Sequence, residues 1–507
     1  MATTMKLNLA VPFLAAGATA AVVNQTTCGD TTYQYTGLAG YGFIPSNATD
    51  KYGDTIGGIG SSIAIDQSSW HKLGQDDYVG TVYAVPDRGW NTNGTLNFQN
   101  RIHKFAISLK LVANASASNP SKPNIRLKYQ DTILLTGPDG EPTTGLDADT
   151  DGHASYPGFP PLPVATYQGN GFGGAGTGGR RLSVDSEGIA LASDGGFWIS
   201  DEYGPYLYKF SATGRMEHAI QPPSAFLPRR NGSISFSSNT PPLYNPNEIP
   251  VPEDTESGRA NNQGFEGVTI SADGKTLYTL IQSALDQEGG PNKTTKAPAR
   301  LLAYEISGSE PKYIHEWVVV LPKYHDYTKT DPSKAERVAA QSEIHQLPTG
   351  DFLVLARDSG FGRGQSDSRS VYRHADVFSV HSGATDVKGL KDYDTATGAI
   401  ASSEGVVKGD ITPAQYCPFL DYNVDGELAK FGLHNGGPQD EFLLNEKWES
   451  LALVPAGSPA DKEYILISFS DNDFITQDGH MNSGKFRYSD ESGFDLDTQV
   501  LAFHLKI

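Results

Sequence analysis

Cysteine is nearly absent: Cys28 and Cys417 are the only two in 507 residues. The twelve histidines are scattered, so no Cys or His cluster offers a soft-metal site. Basic residues are also few, with 39 Lys and Arg against 59 Asp and Glu, a net charge of −20. That balance argues against a nucleic-acid partner, because neutralising phosphates needs a basic surface. It permits cation binding, and it equally suits an acidic, soluble surface. Beyond the first residues no stretch is long and apolar enough for a transmembrane helix. Several catalytic signatures are missing. There is no GxSxG elbow and no HExxH zinc helix. Gly171-Phe172-Gly173-Gly174-Ala175-Gly176 has dinucleotide-loop spacing, but no strand precedes it, no helix follows, and the Lys-Ser/Thr of a phosphate loop is lacking. Arg373-His374-Ala375-Asp376 begins like a phosphohistidine signature without its Gly, Arg and Pro.

What the sequence has in plenty is Gly, Pro and aromatic residues, a composition suited to an all-β protein with many turns. The stretch from Ser186 to Phe210 organises the rest. Ile189, Leu191, Phe197, Ile199, Leu207 and Phe210 supply the apolar positions of three strands, and Asp194-Gly195 supplies a tight turn. Glu187 stands just before the first strand, and Asp201 and Glu202 just after the second. An antiparallel hairpin brings those ends together. The pattern recurs from Phe265-Glu266-Gly267, Ser342-Glu343-Ile344 and Trp448-Glu449-Ser450, with a looser copy from Gly60 to Asp87-Arg88-Gly89. Fourth strands are expected at 125–135, 216–220 and 313–321. Such repeats predict a β-propeller with five countable units, five to seven blades and long loop insertions. In those insertions a short helix is expected at 331–340 and helix across 413–433.

The N-terminus reads as a signal peptide, residues 1–20, with Lys6, an apolar run to Ala21 and the small-x-small site Ala18-Thr19-Ala20. Residues 21–507 then form one domain. Asn24, Asn47, Asn93, Asn114, Asn231 and Asn292 each head a glycan-acceptor triplet, which points to a secreted, extracellular eukaryotic protein. An oxidising compartment favours pairing Cys28 with Cys417, the alternative being two buried thiols. The pairing would tie the N-terminus to the region before the last repeat. Residues 31–36 would then add an outer strand to the last blade.

The recurring carboxylates are the candidate chemistry. If each repeat is a blade, Glu187, Glu266, Glu343 and Glu449 occupy one position around a channel, and Asp87, Asp201, Asp358 and Asp471 another. Glu202 and Asp473 adjoin them. So many carboxylates at one mouth call for a counter-charge, and oxygen ligands favour calcium or another hard divalent cation. The alternative is that each bonds backbone amides and holds blades together. Arg88 and Arg357 adjoin the ring, either to clamp an anionic substrate group or to pair with the same carboxylates. Asp147–Gly152 and Asp421–Gly426 each match the first half of a calcium loop without its closing acid.

The blocks SEGIALASDGGFWISDEYGPYLYKF, FEGVTISADGKTLYTL and WESLALV…ILISFSDNDF resemble the phytase-like domain family, also called esterase-like activity of phytase, in the manner of a secreted fungal-type member. The resemblance covers Gly57 to Leu505. It implies a propeller-like fold and hydrolysis of phosphomonoesters, phytate-like ones included, or of related esters. It carries over no catalytic residue. The expectation is therefore a monomeric, metal-dependent hydrolase of a small anionic or ester substrate, with no nucleic acid or membrane partner. Glu187, Glu266, Asp201, Arg357 and Arg88 are its candidate catalytic groups. The competing readings are a calcium-stabilised propeller that only binds a glycan or protein, and a lactonase-type hydrolase.

Overall fold

Asp194-Gly195 makes the expected turn, with Gly195 at φ 85° and its N–H on the Ala192 carbonyl. Each tight turn of this kind returns the chain antiparallel, and the apolar residues then alternate across a sheet. The computed structural model describes residues 22–507, so the signal-peptide reading lies outside the described residues. Repetition of the hairpin builds five antiparallel sheets. Blade one holds Ser62–Ile65, Asp77–Val85, Arg101–Lys110 and Ile125–Leu134. Blade two holds Ser186–Leu191, Phe197–Asp201, Leu207–Phe210 and Met216–Ile220. Blade three holds Phe265–Ile270, Thr276–Ile281, Pro298–Glu305 and Lys312–Val320. Blade four holds Ala340–Gln346, Phe352–Arg357, Arg373–Ser379 and Gln415–Asp421. Blade five starts with Lys447–Trp448 and Ala452–Pro455, continues through Glu463–Asp471 and Thr498–Lys506, and is completed from the other end of the chain by Thr31–Ile44 and Asn24–Cys28.

The blades close into a ring because every sheet presents apolar side chains to both neighbours. Ile102 and Val85 of blade one pack with Ile189 and Ile199 of blade two. Blades two, three and four share a core around Leu207, Leu301, Ile344 and Phe352. Leu353 and Val377 of blade four meet Leu466 and Phe503 of blade five. Ile467 and Val500 of blade five meet Val82 and Phe105 of blade one, which completes the circle. Each fully buried Leu, Ile, Val or Phe contributes about 1.5–3 kcal/mol to this packing. The fold is a five-bladed β-propeller.

Cys28 and Cys417 form a disulfide with a Cα–Cα distance of 5.8 Å. Cys417 lies on the fourth strand of blade four, so the bond joins the edge of blade five to the edge of blade four. That strand corrects the helix expected across 413–433: helix is confined to Asp425–Leu428 and a 3-10 turn at Ala429–Phe431. Pro418 cannot sit inside a helix, and Cys417 and Phe419 are buried on alternate positions, as a strand requires. In the other expected helical segment, only Pro332–Ala335 is helical. All six glycan-acceptor asparagines are exposed. Among the described residues no helix is long and apolar enough to cross a membrane.

Candidate active site

Strand pairing decides which carboxylates meet. In blade two Ser186 pairs with Asp201 and Gly188 with Ser200, so Glu187 is a bulged residue with no partner opposite it. Blade three has the same bulge, spanning Glu266 and Gly267. Glycine follows the glutamate because the next inner strand passes close by: a Cβ on Gly188 would collide with the Glu266 carbonyl, and one on Gly267 with the Ile344 amide. In blade five Trp448 pairs with Ser470 and Ala452 with Ile467, which leaves Glu449 at the equivalent place. In blade four, however, Gln341 pairs with Ala356 and Glu343 with Leu355, so the bulged residue is Ser342.

The sequence repeat is thus out of step with the register by one residue in blade four. Glu343 does not join the acidic mouth. Its Oε1 accepts from the amides of Val268 at 3.2 Å and Ile344 at 2.9 Å, and its Oε2 accepts from the Ser62 hydroxyl. It ties blades one, three and four together across the channel. Counted from each bulge, the matching positions on the second strands are Glu202, Gln282, Arg357 and Asp471, while Asp201 stands one residue earlier, still paired with Ser186, and Asp358 one residue later. Asp201 is fully occupied: it accepts from the amides of Asp185, Tyr203 and Gly204 and from the Tyr208 hydroxyl, at 2.8, 3.1, 2.9 and 2.9 Å. Asp358 accepts from the Ser370 hydroxyl and the amides of Val371 and Tyr372 at 2.9, 2.6 and 3.1 Å. Both hold loops. The two calcium half-loops do the same, since Asp147 accepts from Ser237, Ser238 and Thr240, Asp149 from Thr166, and Asp421 from the Asn423 amide.

Two acidic groups remain at the mouth, the first wholly buried and the second with Asp473 partly exposed. Asp185, Glu187 and Glu202 offer oxygens within 4.8 Å of one another, and so do Asp87, Asp471 and Asp473. Between and beside them lie Glu266 and Glu449, both buried. Burial and the neighbouring Glu266 push the Glu187 carboxyl well above its ordinary value, and burial with Glu202 does the same to Glu266. Burial pushes Asp185 up to about 7 against the pull of Arg88. Burial also raises Asp87, with Asp471 adding to the effect. One Asp185 oxygen, Oδ1, has no hydrogen-bond partner. A buried orphan acceptor beside two more carboxylates is what a hard cation would satisfy, so the Asp185–Glu187–Glu202 group fits such an ion.

The second group carries its own cation. Lys447 Nζ lies 2.9 Å from Asp471, 2.8 Å from Asp473 and 3.4 Å from Glu449. Burial opposes that charge, but these three carboxylates hold the ammonium well above its usual range. Sequence reasoning missed both Lys447 and Asp185. Each stands two residues before a bulged glutamate, and that shared offset was the available signal.

With this geometry in place, the comparison with known proteins is direct. Residues 56–474 match the phytase-like family described as esterase-like activity of phytase. The chain belongs to the phytase-like family. An uncharacterized secreted protein of Arthroderma benhamiae is 61% identical over 468 residues, covering 91% of each chain. Among solved structures, a luciferin-regenerating enzyme aligns at 9% identity over 88% of this chain and 92% of its own, with a TM-score of 0.25. A putative gluconolactonase aligns at 10% identity over 95% and 98%, also at 0.25. Scores that low carry no assignment.

The two arginines of the phytase-like ring are not free. Arg88 Nη1 donates to Asp185 Oδ2 at 2.8 Å, and Arg357 Nη2 donates to Glu449 Oε1 at 2.5 Å. Of the two roles open to them, pairing with the ring's own carboxylates is the one observed.

Proposed function

We propose that this chain is a secreted hydrolase of phosphomonoesters or related esters that works as a monomer with calcium or another hard divalent cation. The observation that carries the reading is the buried trio Asp185, Glu187 and Glu202, with its orphan Asp185 oxygen, in a member of a family described by esterase-like activity. These three residues would hold the ion, and Arg88 fixes the Asp185 carboxylate for it. The ion, when bound, supplies positive charge against the negative charge that develops on the ester. Glu266 stands outside the trio with one oxygen held by Gln282, and it would take the proton from attacking water. A disulfide and a relative named as secreted support an extracellular site of action.

The test is metal-depleted protein assayed on a panel of phosphomonoesters and carbon esters, with calcium, magnesium, manganese and zinc restored in turn. Cation-dependent cleavage of a phosphomonoester supports the proposal, and Glu266→Gln should then lower the rate by roughly 100-fold. If a cation raises the melting temperature and no ester is cleaved, the propeller is a binding module.

A further inference from the structure

The cationic side chains around the acidic mouth are not alike, and one of them, Arg259, is fully buried on the carbonyls of Tyr203 and Phe236. Arg88 is bound to Asp185, Arg357 to Glu449, and Lys447 to Asp471 and Asp473. An anionic ligand could recruit any of these only by stripping a buried carboxylate of its partner. Lys296 differs. Its ammonium is 3.3 Å from the Gln263 side-chain oxygen, and among the described residues it forms no ion pair. That oxygen also accepts from the Ser283 hydroxyl, so the contact is anchored on two segments. An ammonium has three donors, and Gln263 uses one.

We infer that Lys296 is the residue that grips the anionic phosphoryl group of the substrate, which makes phosphomonoesters the substrate class; this rests on the hydrolase reading above. Lys296 is carried on the loop before Pro298–Glu305 and is half-buried. Gln263 adjoins Gly264, whose amide donates to Glu202 Oε1 at 3.2 Å, and Ser283 adjoins Gln282, which holds Glu266, so Lys296 is placed beside both ring carboxylates. A group held there lies beside the Asp185–Glu187–Glu202 trio through Glu202 and beside the proton acceptor Glu266. Burial, with Lys293 adding to it, pulls the ammonium down to about 8, so it is charged at neutral pH without a carboxylate of its own. A dianionic phosphate supplies the missing partner and disturbs no existing pair.

The experiment titrates the full chain, calcium present, with inorganic phosphate by calorimetry. Wild type, Lys296→Met and Lys296→Arg are compared, and KM and kcat are measured on a phosphomonoester. Phosphate affinity should fall about tenfold or more in the Met variant and return to within about threefold in the Arg variant, with the loss appearing in KM. Equal phosphate affinity in wild type and Lys296→Met, or no phosphate binding by wild type, overturns the inference. Lys296-dependent phosphate binding without any ester cleavage keeps the inference and removes the hydrolase reading. Unchanged KM in Lys296→Met alongside active hydrolysis removes the inference and keeps that reading.

Discussion

The channel has one wall and two unlike ends. At the end where the inner strands begin, Glu187, Glu266 and Glu449 gather with Asp87, Asp185, Glu202 and Asp471. At the hairpin end the same strands line a cavity of about 780 Å3 with Ile65, Leu191, Ile270 and Leu453. Backbone regularity accounts for the difference. Where alternation is unbroken, the inner strands present the apolar residues that pack the blades. Where a bulge interrupts it, one side chain per blade leaves the packing and faces its counterparts. Glu343 also lines that cavity, but its carboxylate is taken up by the amides of Val268 and Ile344 and the Ser62 hydroxyl.

The largest effect that could break this contrast is on stability. In chelator, the folded chain keeps protons on Asp87, Asp185, Glu187 and Glu266 at pH values where an unfolded chain has released them. Their folded pKa values are raised, so their contribution is complete below about pH 4 and is lost as pH rises. Asp185, raised to about 7, alone corresponds to a loss on the order of 4 kcal/mol between about pH 4 and pH 7. Thermal melting in chelator should therefore show a lower Tm at pH 8 than at pH 5, and calcium should remove most of the gap. A Tm that is flat with pH in chelator would mean that these carboxylates do not crowd one mouth.

Glu343 sharpens the contrast next. Replacing it with Leu strands the amides of Val268 and Ile344 and the Ser62 hydroxyl, at a cost of about 3 kcal/mol in denaturant unfolding. Gln keeps an acceptor for both amides and should cost less than about 1 kcal/mol while leaving cation affinity unchanged. A large loss of cation affinity in Glu343→Gln would return that residue to the acidic ring. The smallest effect belongs to the apolar end. Ile270→Thr should alter hydrolysis by less than about twofold and stability by roughly 0.5 kcal/mol. A tenfold loss of activity would show that the two ends act as one site.

The propeller itself was legible because its signals are local. Alternating apolar residues, turns such as Asp194-Gly195 and a glutamate at the strand start of four of the five repeats are visible along the chain. The site was legible only in part, because a bulge moves by one residue without changing composition. Glu343 aligns with Glu187 and Glu266 in sequence, yet Ser342 holds the bulge. Asp201 looks like the end of a strand aimed at the channel, but four local donors claim it. Asp185 and Lys447 share an offset from the repeated glutamates but carry opposite charge, Lys296 falls outside the repeat, and only the folded register brings all three to the mouth. Pairing of Cys28 with Cys417 was readable from compartment and count alone.

The fifth blade is assembled from both ends of the chain, and that imposes an order on synthesis. Thr31–Ile44 finds its partner only when Thr498–Lys506 has been made. Until then a fourteen-residue strand waits with an unpaired edge, the kind of surface that recruits the wrong chain. Cys417 is made before that partner, on a blade whose strands are already complete. A bond from Cys28 to Cys417 can therefore hold the waiting strand beside its slot while the rest of the blade emerges. The crosslink serves the growing chain as a mooring.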